Sequence, residues 1–314
     1  MNKRLLTRAA VLLILAGLAG CGAASAGETP PAATDTAAVP SPEPQLPAAT
    51  AAPAADWKVV LRTERVGAES PLVAGFINEQ QGIVVGVNGE IHYTLDGGAS
   101  WPDAENNSAC RFGLDIVDER LAWAVGNNGQ IRVSKDGGQT WLSVSDVLGR
   151  TNMAAFVDET TGWVAGVTKI NATGDGGLTW TGLALPEDVG KVAAIDLLPG
   201  GRGYLVGSQG VLYVTVDGGE TWTDIPLGLE KDIIVGDSLP LAAVRFTDPD
   251  NGVIVASLEH SGGTLIALRT ADGGETWAEE SLPVKLGALF LTHDGELLTV
   301  LDGNGRVSLL TPAG

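Results

Sequence analysis

The chain has 314 residues, of which 18% are charged and 43 are glycine, and its formal net charge is −19. Few charges and many glycines suit short buried strands joined by tight turns. So acidic a balance excludes the basic footprint of a nucleic-acid binder and the polybasic face that an anionic membrane attracts.

The first element is a targeting segment, residues 1–20. Lys3, Arg4 and Arg8 form a positive n-region, and the apolar run from Ala9 to Ala19 is too short to span a membrane. It ends in Leu18-Ala19-Gly20-Cys21, which resembles the lipobox of bacterial lipoproteins. The resemblance implies that Cys21 carries the lipid and becomes the first residue after cleavage. Several acyl chains at about 0.8 kcal/mol per buried CH₂ make a stable anchor. The expected location is outside the cytoplasm, lipid-anchored to the cell membrane or outer membrane. Cleavage also removes three basic residues, which leaves the mature chain more acidic. The second cysteine, Cys110, then has no disulfide partner and reads as a small buried residue.

Residues 21–55 are rich in Ala, Pro and Thr and almost free of large apolar residues. Such a segment cannot bury a core and reads as a disordered or extended linker of about 3.1 Å per residue.

From residue 56 to 314 one pattern recurs: Ser or Thr, any residue, Asp-Gly-Gly, any residue, Ser or Thr, then Trp. Its five copies carry the pairs Asp96 and Trp101, Asp136 and Trp141, Asp175 and Trp180, Asp217 and Trp222, and Asp272 and Trp277. The aspartates are spaced by 40, 39, 42 and 55 residues, the period of a four-stranded propeller blade. This is the Asp-box, or bacterial neuraminidase repeat. Asp-Gly favours a hairpin turn, the carboxylate accepts from the turn's own amides, and the Trp buries a large ring beside it. The five aspartates are therefore read as structural, one per blade, rather than as metal or catalytic groups.

Before each box come an inner strand such as Ala154-Ala155-Phe156, and a second strand such as Gly162-Trp163-Val164-Ala165-Gly166. A sixth unit has no box: Leu286–Leu291, Leu297–Leu301 and Arg306–Leu310 give three strands before the chain ends. The missing fourth strand is Trp57-Lys58-Val59-Val60-Leu61, a box-like Trp followed by an outer strand. The predicted fold is all-β, a propeller of six four-stranded blades (seven is the alternative count) closed by the N-terminal strand, which hides the sheet edges.

The boxes, the Gly-Trp-x-x-Gly strands and this closure resemble the photosystem II stability/assembly factor family over Trp57 to Gly314. The resemblance implies an exported, often lipid-anchored propeller that assists assembly of a membrane complex without catalysing a reaction. Two departures stand out. The blade count is six rather than the family's seven, and the family's arginine-rich patch has no counterpart beyond the scattered Arg111, Arg202 and Arg245. The rival reading is a sialidase-like glycoside hydrolase or a carbohydrate-binding propeller. It lacks support: no Arg-Ile-Pro precedes Asp96, and Tyr93, Tyr204 and Tyr213 sit in apolar strand patterns.

Other constellations are weak. His92, His260 and His293 are isolated and lack metal-ligand spacing. Asp248 to Gly252 matches the ordinary turn at Asp158 to Gly162 better than a calcium loop. No cofactor and no metal is implied. The expected partner is a protein, bound by a monomeric propeller. Its candidate site is a pair of long connections expected to meet on the face opposite the boxes: Gly228 to Pro240, with Glu230, Lys231, Asp232 and Asp237, and Leu258 to Gly263, with Glu259 and His260.

Overall fold

The computed structural model describes residues 57–62, 71–86, 89–106, 111–126, 129–146, 149–229, 232–235, 241–258, 264–285, 287–302 and 304–312. Cys21, Cys110 and the linker 21–55 lie outside them.

The described residues form six four-stranded antiparallel sheets. Blade 1 is β2 (Pro71–Phe76), β3 (Gly82–Gly86), β4 (Glu90–Thr94) and β5 (Asp103–Asn106). Blade 2 is β6 (Arg111–Ile116), β7 (Ala122–Gly126), β8 (Gln130–Ser134) and β9 (Leu142–Asp146). Blade 3 is β10 (Met153–Phe156), β11 (Gly162–Gly166), β12 (Lys169–Thr173) and β13 (Thr181–Leu183). Blade 4 is β14 (Val192–Leu197), β15 (Gly203–Gly207), β16 (Val211–Thr215) and β17 (Thr223–Pro226). Blade 5 is β18 (Ala242–Phe246), β19 (Gly252–Ser257), β20 (Thr264–Thr270) and β21 (Ala278–Lys285). Blade 6 is β22 (Ala288–Leu291), β23 (Leu298–Leu301), β24 (Val307–Pro312) and, from the other end of the chain, β1 (Trp57–Arg62). The inner strands β2, β6, β10, β14, β18 and β22 touch in that order, and β22 returns to β2. This is a six-bladed propeller, and the count of seven falls.

Each blade meets a neighbour on both faces, which is why the second strands are apolar throughout rather than alternating. Gly162 to Gly166 and Gly203 to Gly207 are buried at every residue. The core accordingly lies in the seams between blades. At one seam the Phe156 ring stacks on Trp123, with centroids 3.9 Å apart, and meets Trp180 edge-on. At another Phe246 stacks on Tyr204 at 3.7 Å and meets Trp277 edge-on. The glycine opening β11 lets the Phe156 ring lie flat, since a Cβ there would sit 2.1 Å from the ring.

Closure is the antiparallel pairing of β1 with β24, from Trp57 opposite Pro312 to Arg62 opposite Ser308, with one bulge between Val59 and Leu61. Trp57 is buried. Its Nε1 donates to Glu280 Oε2 at 2.6 Å, and the Arg269 guanidinium sits 5.7 Å over its ring. The last blade is thereby fastened to blade 5 through β1.

Candidate functional site

The boxes are built from the chain's own hydroxyls. In blade 2, Ser134 Oγ donates to Asp136 Oδ1 at 2.9 Å and accepts from the Gly138 amide at 2.8 Å. The Thr140 amide and hydroxyl donate to the two Asp136 oxygens at 2.8 and 2.6 Å. The same four bonds recur around Asp96, Asp175, Asp217 and Asp272. With its hydroxyl and amide donors, chiefly those of Ser100, the Asp96 carboxyl is held down to about 2. Each box also anchors to the first turn of its blade: the Gly137 amide donates to the Arg120 carbonyl at 2.8 Å. Gly137 has φ +75°, and a Cβ there would meet the Glu119 carbonyl at 2.8 Å, so two constraints require glycine. Every box carboxylate is thus filled by its own turn.

The turns at Asp158 and Asp248 use the same logic. Asp248 Oδ1 accepts the amides of Asp250 and Asn251 at 2.8 and 2.9 Å. These are Asx-type turns whose carboxylates are already engaged. Among the described residues no group of three or more His, Cys, Asp or Glu side chains is arranged to hold a metal ion.

The axis holds what the sequence did not reveal. The next-to-last residue of each inner strand, in blade order, is Gly75, Asp115, Ala155, Asp196, Arg245 and Phe290. Arg245 donates from Nη2 to Asp115 Oδ1 and from Nη1 to Asp196 Oδ1, each at 2.6 Å. The free oxygen of each acid accepts an amide from the next blade, Phe156 on Asp115 and Phe246 on Asp196, both at 2.7 Å. His293, at the box-side mouth, brings Nε2 to 3.1 Å from Asp115 Oδ1. Burial pushes the Asp115 carboxyl up, but Arg245, His293 and the Phe156 amide outweigh it and hold the group at about 2. Burial lowers the Arg245 value, and the two carboxylates raise it well above the usual one. Arg245 is therefore not merely one of three scattered arginines but a buried axial one, and His293 is not isolated. Neither is His92, whose Nδ1 lies 2.8 Å from Asp103 Oδ1. A signal existed: Asp115 and Asp196 each interrupt an apolar inner strand one residue before its end, and so does Arg245.

Beyond this plug, toward the face opposite the boxes, the axis opens into a cavity of about 50 Å³ bounded by Met153, Ala194, Val244 and Phe290. On that face Arg150 and Lys169 flank a cleft of about 320 Å³. The two long connections also meet there: Ile233 bridges Leu258, and the Ile234 amide donates to the Ser257 carbonyl at 2.8 Å. Ile233 is buried and Asp232 exposed beside it. The other candidate partner residues, Glu230, Lys231, Asp237, Glu259 and His260, lie outside the described residues.

A family model described as photosynthesis system II assembly factor YCF48 matches residues 147–232. The photosystem II assembly lipoprotein Ycf48 of Synechococcus sp. (strain CC9902) is 30% identical over 139 residues, which cover 43% of this chain and 38% of that relative. The solved structure "YCF48 bound to D1 peptide" aligns over 86% of this chain and all of its own, with a TM-score of 0.52 and 19% identity. Over this stretch the chain is similar to photosystem II assembly factors, and it spans well under half the length of the curated relative it matches. Virginiamycin B lyase from Staphylococcus aureus aligns over 82% of this chain with a TM-score of 0.54 and 11% identity, a likeness of fold alone.

The matched stretch runs from the exit of blade 2 through the boxes of Asp175 and Asp217 to Asp232. Some of the groups a sialidase mechanism would draw on are committed elsewhere. Tyr204 is fully buried against Phe246, its hydroxyl accepting from Arg202 Nε at 2.9 Å, and Arg245 is spent on two acids.

Proposed function

We propose that this propeller is a membrane-tethered assembly factor that binds a peptide segment of a membrane-complex subunit and catalyses no reaction. The observation that carries it is the match of residues 147–232 to the assembly-factor family, whose last residue, Asp232, opens onto the Ile233–Leu258 bridge. A structure of similar fold is that of YCF48 bound to a D1 peptide, and a peptide of that kind is the partner carried over to this chain. The bridge ties two long connections into one surface on a rigid ring, a setting suited to binding. Glu230, Lys231, Asp232, Asp237, Glu259 and His260 are the contacting residues in this reading, and the lipid on Cys21 holds the ring to the membrane.

The test uses the full chain and a fluorescently labelled D1 peptide, read by anisotropy. Replacing those six residues by serine while keeping Ile233 and Leu258 should leave the melting temperature unchanged and weaken binding at least tenfold. Full binding by that variant removes the site, and absence of binding by the wild type removes the partner. Turnover of a fluorogenic sialoside would replace the reading with the hydrolase. Cys21→Ser should move the protein out of the membrane fraction; unchanged fractionation overturns the tether.

A further inference from the structure

A groove of about 590 Å³ runs along the rim where blade 3 hands the chain to blade 4. Its floor is aromatic, Tyr213 from β16 and Trp222 from the fourth box. Its walls carry Glu187, Asp188, Glu220 and Asp224, and no cationic residue lines it. The volume suits a small-ligand or side-chain pocket, typically about 300–1,000 Å³.

Three observations set this groove apart from the propeller's other acidic surface. First, Tyr213 is 5% exposed, yet its hydroxyl forms no hydrogen bond among the described residues while its ring lines the groove. The ring is buried while the oxygen is left open to the groove, free to bond to what enters it. Burial, then Asp188 and Asp224, push its ionisation up, so the hydroxyl stays neutral and near both carboxylates. Second, Trp222 is bonded differently from the two box tryptophans that close on their own turns. Trp141 and Trp180 donate Nε1 to their own box carbonyls, Gly138 and Gly177, at 2.9 and 3.0 Å. Trp222 donates instead to the Ala184 carbonyl of the preceding blade's exit at 3.0 Å, so its indole joins the box to the groove wall. Third, the wall is held in shape. β13 is only three residues long, and the chain after it turns through a Val189 amide to Pro186 carbonyl bond and buries Val189. It is then tied to blade 4 by the Ser208 amide on the Lys191 carbonyl at 2.8 Å.

Aromatic faces beside carboxylates attract a cation that is planar and weakly hydrated, which favours a guanidinium over an ammonium. We infer that this groove binds an arginine side chain of an extended peptide segment, the guanidinium lying against Trp222 and Tyr213 and hydrogen-bonding to the surrounding carboxylates and the Tyr213 hydroxyl. The Tyr213 oxygen accepts from the guanidinium, and Asp188 and Asp224 take the remaining N–H groups. The surface lies on the rim and stands independently of the partner face described above.

The test is calorimetric titration of the full chain with acetyl-Gly-Gly-Arg-Gly-Gly-amide at physiological salt, against the same peptide carrying citrulline, a neutral isostere. Saturable binding of the arginine peptide, at least tenfold weaker for citrulline, is expected. Asp188→Asn/Asp224→Asn should abolish the binding, and Tyr213→Phe, which keeps the ring, should weaken it several-fold. Glu79→Gln/Glu279→Gln removes the same charge from elsewhere and should change nothing. Thermal melts of each variant establish that it folds, and Tyr213→Phe keeps the question open to decision should the double variant not fold. Equal weakening by the groove and control pairs would mean diffuse attraction to an acidic protein. That result, or no saturable binding at millimolar peptide, overturns the inference.

Discussion

Arg245 and Asp196, 49 residues apart, are joined at 2.6 Å on the propeller axis, and the second oxygen of Asp196 takes the Phe246 amide of the strand that carries the arginine. With Asp115 on the other side, one guanidinium braces blades 2, 4 and 5 across the ring. Breaking such a buried set by removing one partner is far costlier than replacing it whole, about 3–5 kcal/mol for a lone buried charge. Arg245→Leu should lower the melting temperature sharply or abolish folding. Arg245→Met combined with Asp115→Asn and Asp196→Asn should be much milder, as read by chemical denaturation. Equal damage from both would mean that packing, not charge pairing, dominates the axis.

The same cluster sets an acid limit. Asp115 titrates at about 2 in the folded ring against an ordinary value of 3.8, so the unfolded chain takes up its proton first as pH falls. Its contribution is complete above pH 3.8 and is lost as pH drops through 3.8 toward 2. Thermal melts should be insensitive to this group from neutral pH down to about 4 and fall steeply below. In Asp115→Asn, the part of that fall due to this group should vanish.

The terminal seam should be equally telling. Trp57 is buried, bonded to Glu280 and covered by Arg269. Trp57→Ala should cost about 3–5 kcal/mol, as large core truncations do. Deleting 57–62 should bare the β24 edge and cause aggregation, visible by light scattering. Deleting residues 22–50 should leave both melting temperature and solubility unchanged.

For the boxes, Asp136→Ala leaves the Thr140 amide and hydroxyl and the Ser134 hydroxyl without their acceptor. A loss of about 0.5–1.5 kcal/mol is expected by denaturant titration, with peptide binding intact in what remains folded. A variant that melts like the wild type but loses its partner would make the box a binding element instead.

The glycine that opens β11 is a packing requirement rather than a turn. Gly162→Ala would press a methyl against the Phe156 ring and disturb its stack on Trp123. Overpacking of this kind costs about 1–3 kcal/mol, and tryptophan fluorescence should shift with it.

What was legible in the sequence was whatever repeats or acts locally. The five box aspartates announce themselves because their partners lie within four residues, and Trp57 stands out because it copies the start of an outer strand. Arg245 was hidden for the opposite reason: its partners are 130 and 49 residues away, and nothing in Val244-Arg245-Phe246 says which blades face it. The Tyr213 groove was missed on similar grounds. Tyr213 reads as one apolar member of β16, and only the folding of the blade 3 exit over it sets carboxylates around its hydroxyl.

The rim and the axis obey different rules of inheritance. On the rim the box hairpins share one sequence pattern and one bonding scheme, so copying, losing or exchanging a blade would leave each hairpin self-sufficient. At the axis Gly75, Asp115, Ala155, Asp196, Arg245 and Phe290 are five different residues at six equivalent positions, and the arginine reaches its acids because of where their blades stand in the ring. A seventh unit inserted by duplication would widen the ring, part Arg245 from a carboxylate and bury the mismatch. The axis therefore keeps a record of blade number and charge: units that are nearly interchangeable as hairpins are told apart in the ring by which of them carries the arginine and which carry the acids.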